Sequence, residues 1–134
     1  MERTLVLLKP DALERGLVGE IIHRYEQKHL GIVAMKCLTP ERPLLYEHYK
    51  EHAGKAFLEP LVAFMNNRLI ALVLEGENAV HLVRLLNGAT NPKDALPGTI
   101  RGDFCINTTE NLVHGSDSVE SAVREINLWF PETL

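Results

Sequence analysis

Short apolar runs separated by helical patterns dominate this sequence and limit the folds open to it. The runs cover residues 4–8, 32–38 and 69–74. Runs of this length that are rich in Val, Ile and Leu are typical of buried strands. Residues 111–114 form a fourth, shorter run that leads into a helical pattern. The sequence therefore predicts four strands.

Helical spacing lies between these runs. Helices are predicted over residues 42–52, 57–66 and 79–86. A further helix separates the first two strands, and its apolar positions are Leu17, Val18, Ile21, Ile22 and Tyr25.

The last helix has the clearest pattern in the chain. Its apolar face consists of Val119, Ala122, Val123, Ile126 and Trp129. We interpret Asp117 with Glu120 as the capping pair of this helix, and Asp11 with Glu14 as a similar pair earlier in the chain. Residues 88–110 show no long period, so we predict an irregular segment there, and such segments in compact domains are usually functional or disordered.

The order of these elements predicts the fold class. Strand, helix, strand, strand, helix and strand follow one another along the chain, with extra helices inserted. This is the ferredoxin-like βαββαβ pattern, an α+β sandwich with a four-stranded antiparallel sheet covered by helices, which we expect on one face. A chain of 134 residues without repeats or a linker predicts a single domain over residues 1–134.

Composition excludes several functional classes. Lys and Arg number 14 against 18 Asp and Glu, a formal charge of −4, so no general nucleic-acid footprint is expected. Two cysteines, Cys37 and Cys105, are too few for a disulfide framework. The first apolar run stops at Leu8, too short for a signal sequence or a membrane span. We therefore expect a cytoplasmic protein with no membrane partner.

Common nucleotide and metal motifs are absent from the sequence. The nine glycines form neither a dinucleotide-binding fingerprint nor a phosphate-binding loop of the P-loop type. His48 and His52 have the i, i+4 spacing of helical metal ligands, but no third ligand accompanies them. We interpret both histidines as solvated helix residues, with a zinc site as the alternative.

Residues 111–118 are the most informative stretch. An apolar run delivers His114, and Gly115 then allows a turn before hydroxyl and carboxylate groups open a helix. A neutral imidazole can attack phosphorus, and Glu125 on the following helix could orient it. The alternative, which this pattern alone favours, is a strand-end histidine before a well-capped helix.

Two basic residues shift that balance. Lys9 ends a strand just before Pro10 and Asp11, at a predicted helix start where anions bind readily. Arg101 lies beside Gly102 in the irregular segment, where the backbone can approach a ligand closely. Each alone is more often a surface charge, but together with His114 they indicate a phosphate site.

The chain resembles the nucleoside diphosphate kinase family. The resemblance covers residues 2–130 and is carried by six stretches, which are 2–11, 15–21, 75–78, 88–92, 97–103 and the HGSDS sequence at 114–118. It implies a phosphotransferase of ferredoxin-like fold that moves the γ-phosphate of a nucleoside triphosphate, typically ATP, to a nucleoside diphosphate. It also implies a ping-pong mechanism through a phosphohistidine at His114, a role in maintaining nucleotide pools, and a homo-oligomer, which we expect to be a hexamer rather than a tetramer.

The resemblance also assigns roles to individual residues. Tyr49 and Ser116 match positions beside the nucleophile, and Glu125 matches the carboxylate that orients it. The positions that match the family's nucleotide-binding residues are Lys9 and Asn111 at the ribose 3′-hydroxyl and nearby phosphate, Arg84, Thr90 and Arg101 at the β- and γ-phosphates, and Phe57 at the base. Mg²⁺ is expected on the nucleotide phosphates and not in a protein site.

Some segments depart from the family's usual sequence. They are residues 56–60, Asn67–Arg68 and residues 108–110. Residues 56–60 and 108–110 put the base-side contacts in question, and Asn67–Arg68 changes the approach to the third strand. A nucleotide-binding regulatory module without turnover is the alternative function. Strict strand alternation would also place Asn111 and His114 on opposite faces, so we expect irregular backbone around Asn111.

Overall fold

The computed structural model describes residues 1–132, so Thr133 and Leu134, the end of the domain predicted over 1–134, lie outside the described residues. The strands are β1 (Glu2–Leu8), β2 (Gly31–Leu38), β3 (Leu69–Gly76) and β4 (Val113–Gly115). They form one sheet in the order β2-β3-β1-β4, and every neighbouring pair is antiparallel. The four predicted strands and the ferredoxin-like α+β fold are confirmed.

Seven α-helices accompany the sheet in the described part of the chain. They are α1 (Pro10–Glu14), α2 (Val18–Gln27), α3 (Arg42–His48), α4 (Leu58–Met65), α5 (Ala79–Asn87), α6 (Ile100–Phe104) and α7 (Val119–Trp129). The helix predicted over 42–52 ends at His48 and continues as a 3₁₀ turn, Lys50–His52. Helix α6 lies inside the segment predicted to be irregular. None of the helices in residues 1–132 is long and apolar enough to span a bilayer.

Strand β1 is buried on both faces, which corrects the expectation that helices cover one face only. Leu5 and Leu7 pack into one apolar cluster, together with side chains of α3, α4 and α7. Val6 and Leu8 pack into the other, with side chains of α1, α2, α5 and α6. The uninterrupted apolar run at residues 5–8 indicates burial on both faces, because successive strand residues point to opposite faces of the sheet.

Both predicted capping pairs are corrected by the structure. Helix α7 is capped by Ser118, whose Oγ accepts a hydrogen bond from Ser121 N at 3.0 Å. Asp11 is buried within α1, and its Oδ2 accepts a hydrogen bond from Leu112 N at 3.1 Å. The carboxylate therefore ties the start of α1 to the segment before β4, a tertiary contact that spacing along the chain does not reveal.

The backbone before β4 is irregular, as the positions of Asn111 and His114 required. Leu112 has a φ of +72°, in the left-handed region that leucine rarely adopts. Val113 N donates to Asn111 O at 2.8 Å, and Lys9 N donates to Leu112 O at 2.8 Å. These bonds hold the unusual turn, which breaks the strand alternation between Asn111 and His114.

Gly102 in α6 has no room for a side chain. The side-chain oxygen of Thr99 caps α6 by accepting from Gly102 N at 2.9 Å, and Thr99 Oγ1 donates to Leu96 O at 2.6 Å. A Cβ atom on Gly102 would overlap the carbonyl oxygen of Leu96. Close packing of α6 against the chain before it therefore depends on glycine at this position.

We predict that Gly102→Ala lowers the free energy of unfolding by about 1–3 kcal/mol, because the methyl group forces α6 away from Leu96. Gly19→Ala is the matched control, since Gly19 is helical and nothing lies within 4 Å of its Cβ position. The control should be neutral or stabilising by up to about 1 kcal/mol. Chemical unfolding of both variants tests this, and equal stabilities would contradict it.

Candidate active site

A cleft of about 860 Å³ opens at the end of β4 and brings the predicted site residues together. Its size suits a ligand of nucleotide dimensions. Nine of the ten predicted site residues line it, and they are Lys9, Tyr49, Phe57, Arg84, Thr90, Arg101, Asn111, His114 and Glu125. The tenth, Ser116, is fully buried behind the wall.

His114 is held by a carboxylate, which is in turn held by a hydroxyl. Its Nε2 lies 2.8 Å from Oε1 of Glu125, which projects from α7. Ser116 Oγ donates to the same Oε1 at 2.7 Å and accepts from Leu5 N at 3.3 Å. With the carboxylate accepting from Nε2–H, the lone pair of the imidazole is on Nδ1. The arrangement therefore presents Nδ1 as a nucleophile or base.

Glu125 is suited to remain charged in this position. Burial alone would raise the pKa of its carboxyl, but the hydrogen bond and charge of His114 outweigh burial and hold that pKa below its usual value. A charged carboxylate fixes the imidazole tautomer and stabilises any positive charge that develops on the ring.

His48 is also part of this site, so its interpretation as a solvated residue is wrong. It is 4% exposed, and its Nδ1 accepts a hydrogen bond from Trp129 Nε1 at 3.0 Å. Its ring centroid lies 4.7 Å from that of His114, edge to face. The available signal was helical spacing, because His48 follows Leu45 by one turn and shares its buried face.

The other end of the cleft carries a concentration of positive charge. Lys9 is buried, and burial together with the charge of Arg101 lowers the pKa of its amine to about 8. Arg84 lies beside β4, where its Nη1 donates to Gly115 O at 3.5 Å. Like charges gathered in a partly desolvated cleft favour a polyanionic ligand.

Arg101 has a structural task besides its charge. It is 8% exposed, and its guanidinium donates to three backbone carbonyls: Asn111 O at 3.2 Å, Gly88 O at 2.8 Å and Val113 O at 2.5 Å. These bonds join the end of α5, helix α6 and the turn before β4. A guanidinium has five N–H donors, so others remain for a ligand in the cleft.

Two buried side-chain oxygens near this turn have no partner within residues 1–132. They are Oδ1 of Asn111 and Oδ1 of Asp11. Asn111 is 2% exposed and lines the cleft. Because buried polar atoms normally have hydrogen-bond partners, Asn111 is suited to bind a polar group of a ligand.

Aromatic rings form the outer wall of the cleft. Phe57, which precedes α4, is 50% exposed, and the ring of His52 packs edge-on against it at 5.1 Å. His52 in turn stacks on Tyr49 at 6.2 Å. A half-exposed ring supported from behind can stack on a planar group.

Two of the three segments that depart from the family pattern contribute to the cleft. Residues 56–60 contain Phe57 and the first turn of α4, and Thr108 and Thr109 line the cleft. Asn67 closes the turn between α4 and β3, where its Nδ2 donates to Phe64 O at 2.8 Å. Residues 56–60 and 108–110 therefore contribute to the cleft lining through Phe57, Thr108 and Thr109, while Asn67 lies in the turn between α4 and β3.

The side chains of the site do not fit a resident magnesium ion. The one cluster of three potential metal-binding side chains within residues 1–132 is His48, His114 and Glu125, whose ligand atoms lie within 4.8 Å of one another. Magnesium prefers six oxygen ligands, and this cluster offers two imidazole nitrogens and one carboxylate.

Comparison with known proteins gives consistent results. The sequence model of a family described as nucleoside diphosphate kinase matches residues 2–134. The nucleoside diphosphate kinase of Caldanaerobacter subterraneus is 61% identical to this chain, and the match covers 100% of this chain and 97% of that protein. The nucleoside diphosphate kinase of Methanocaldococcus jannaschii is 54% identical, and the match covers 98% of this chain and 94% of that protein. The structure of a halophilic nucleoside diphosphate kinase from Halobacterium salinarum in complex with CDP is similar at a TM-score of 0.95 and 45% identity, covering 98% of this chain and 88% of that one.

We predict that Arg101→Lys lowers the free energy of unfolding by about 2–4 kcal/mol, because one ammonium cannot satisfy three carbonyls and buried unpaired acceptors are costly. Arg15→Lys is the control, since Arg15 makes one exposed bond, to Phe104 O at 2.7 Å. That change should cost less than about 0.5 kcal/mol. Urea unfolding measures both, and a stable Arg101→Lys variant would show that the three bonds contribute little.

Proposed function

The chain belongs to the nucleoside diphosphate kinase family and is a phosphotransferase, and from this premise we propose that His114 carries the phosphoryl group between nucleotides. The observation that carries the proposal is the 2.8 Å contact between His114 Nε2 and Glu125, which leaves the lone pair on Nδ1 at the edge of the cleft. Transfer from triphosphates to diphosphates by this route would maintain the cell's nucleoside triphosphate and deoxynucleoside triphosphate pools.

In the first half-reaction, the Nδ1 lone pair attacks the γ-phosphorus of a nucleoside triphosphate. A P–N bond forms as the bond to the β,γ-bridging oxygen breaks, and the nucleoside diphosphate leaves with that electron pair. Nε2 keeps its proton, and the negative charge of Glu125 balances the positive charge on the phosphorylated ring. In the second half, a β-phosphate oxygen of another diphosphate attacks phosphorus, and the P–N bond electrons return to Nδ1.

The remaining residues position the phosphates. Phosphoryl transfer needs mainly alignment and stabilisation of charge, which buried cations supply. In this proposal Arg84, Thr90 and Arg101 bind the β- and γ-phosphates, and Lys9 and Asn111 bind the ribose 3′-hydroxyl and the nearby phosphate. Tyr49 lies beside the nucleophile. The unpaired Oδ1 of Asn111 supports its role as an acceptor for a sugar hydroxyl.

Phe57 is proposed to stack on the nucleobase. Stacking uses the face of a base and not its hydrogen-bonding edge, so it does not distinguish one base from another. Broad nucleoside specificity follows. CDP bound to the Halobacterium relative supports a nucleoside diphosphate as a ligand of this cleft.

Magnesium enters this scheme as part of the substrate. The three clustered ligands, two imidazoles and one carboxylate, do not suit Mg²⁺, so we place the ion on the nucleotide phosphates. There it neutralises phosphate charge during transfer.

We also propose a homo-oligomer, with a hexamer favoured over a tetramer, in the cytoplasm. Self-association is supported by apolar side chains exposed on the edge strand β2, where Ile32 is 40% and Met35 55% exposed. Free Cys37 and Cys105 support a reducing compartment. Light scattering of the purified chain measures the subunit number, and a monomer would contradict this part of the proposal.

We predict that γ-labelled ATP with Mg²⁺ labels the protein through a bond that is labile in acid and stable in base. The label should leave as a new triphosphate when an unlabelled diphosphate is added. His114→Ala should abolish labelling and transfer while ADP still binds, because the phosphate-binding cations remain.

The exposed His23 of α2 provides the control for this experiment, since His23→Ala should label as the parent protein does. Transfer by His114→Ala within tenfold of the parent rate would refute the nucleophile. Nucleotide binding without labelling of the parent protein would instead establish the regulatory-module alternative.

We further predict that kcat/KM for ATP declines above about pH 8. The pKa of Lys9 in the free protein is lowered to about 8, so its charge is present below that pH and is lost above it. Lys9→Arg should lack this alkaline decline, whatever its absolute rate, because a guanidinium does not titrate there. A pH–rate profile of both proteins tests this, and an unchanged decline in Lys9→Arg would assign it to another group.

A further inference from the structure

His48 is a buried titratable group that the proposed chemistry leaves without a role. It lies against His114, with ring centroids 4.7 Å apart and planes 73° apart. It is also tied to α7, because Trp129 Nε1 donates to its Nδ1 at 3.0 Å and Arg124 Nη2 donates to its backbone oxygen at 3.2 Å. Both anchors come from the helix that also carries Glu125.

The bond from Trp129 determines where His48 carries its proton. An indole nitrogen only donates, so Nδ1 of His48 must present its lone pair. In the neutral ring the proton is therefore on Nε2. This argues against a metal site at His48, His114 and Glu125, because a protonated Nε2 cannot bind a metal and Nδ1 is already occupied.

The same bond opposes a positive charge on His48. A proton on Nδ1 would face the indole N–H and break the hydrogen bond. Burial, with the adjacent His114, also lowers the pKa of His48 well below the ordinary range of a histidine. The charged and titratable groups around the ring are His114 on β4, Glu125 and Arg124 on α7, Lys9 after β1, and the neighbouring Tyr49.

A neutral His48 matters for the phosphorylated state. When His114 is phosphorylated on Nδ1 with its proton kept on Nε2, its ring is cationic and relies on Glu125 for compensation. A second cation in van der Waals contact would compete for that carboxylate and destabilise the intermediate. An uncharged ring instead supplies a rigid neighbour against which the imidazole of His114 packs.

We propose that His48 is a positioning residue for the nucleophile. Trp129 holds it uncharged in the Nε2–H tautomer, and its ring, packed edge to face with that of His114, keeps His114 turned so that Nε2 meets Glu125 and Nδ1 stays free for phosphorus. This inference rests on His114 as the nucleophile. It concerns two residues, His48 and Trp129, that have no role in the phosphotransfer scheme above.

The first test separates positioning from binding. In His48→Asn the side chain can still accept a hydrogen bond from Trp129, but the ring is lost. We expect kcat to fall about 10- to 100-fold while KM for ATP and ADP stays nearly unchanged, because the catalytic group is misplaced. His48→Phe keeps an edge and should retain more of kcat at pH 8. His23→Asn on exposed α2 is the control. The proposal would be overturned by a parent-like kcat in His48→Asn, or by a KM that rises by the same factor as kcat falls.

The second test uses a pH profile, which a purely structural role would not change. In Trp129→Phe the Nδ1 lone pair of His48 is free to take a proton, so the acid limb of kcat should move to higher pH. In the double variant His48→Phe/Trp129→Phe nothing titrates at this position, and the acid limb should return to the parent's pH. An unmoved limb in Trp129→Phe, or a shift that persists in the double variant, would refute the role of His48.

Phosphoenzyme labelling of each folded variant distinguishes the two levels of the argument. If the parent protein is not labelled, the proposed nucleophile fails. If the parent is labelled at His114 and the His48 variants transfer at the parent rate, only the positioning role fails. Slower labelling of His48→Asn at unchanged ADP affinity supports both.

Discussion

The active site depends on three hydrogen bonds that the guanidinium of Arg101 donates to the backbone. These bonds go to Gly88, Asn111 and Val113 and so join the end of α5 to the turn before β4. Strand β4 has only three residues, and a strand this short has few ladder hydrogen bonds of its own. The side chain of Arg101 therefore does for this segment what neighbouring strands do for longer ones. The same side chain also lines the cleft.

The turn held by Arg101 solves a geometric problem. A regular strand would point Asn111 and His114 to opposite faces of the sheet. The left-handed backbone of Leu112 changes this alternation, at a cost of about 1–3 kcal/mol that the surrounding hydrogen bonds offset. Asp11 and Lys9 supply two of those bonds. Asp11 Oδ2 accepts from Leu112 N, and Lys9 N donates to Leu112 O. Backbone strain is thus located beside the proposed nucleophile, His114, and it places the side chains of Asn111 and His114 in one cleft.

Charge is arranged in two zones along the cleft. The zone of Lys9, Arg84 and Arg101 has excess positive charge, and burial makes that excess costly without an anion. The zone of His114 is balanced, since the carboxylate of Glu125 faces its imidazole. His48 and Ser116 surround this pair with uncharged groups. In the proposed function, the positively charged zone binds the phosphates and the balanced zone receives the transferred phosphoryl group.

Local pattern determined most of the elements of this protein. The four strands, the helices α2, α4, α5 and α7, and the HGSDS segment are visible in the sequence, because strand and helix periodicity report burial directly. The resemblance to a known family supplied the site residues, nine of which line the cleft. Tertiary structure alone decided that Asp11 binds the turn before β4 and that His48 contacts His114. These results depend on pairs of residues 66 to 101 positions apart, and no periodicity along the chain encodes which distant groups will meet when the sheet closes.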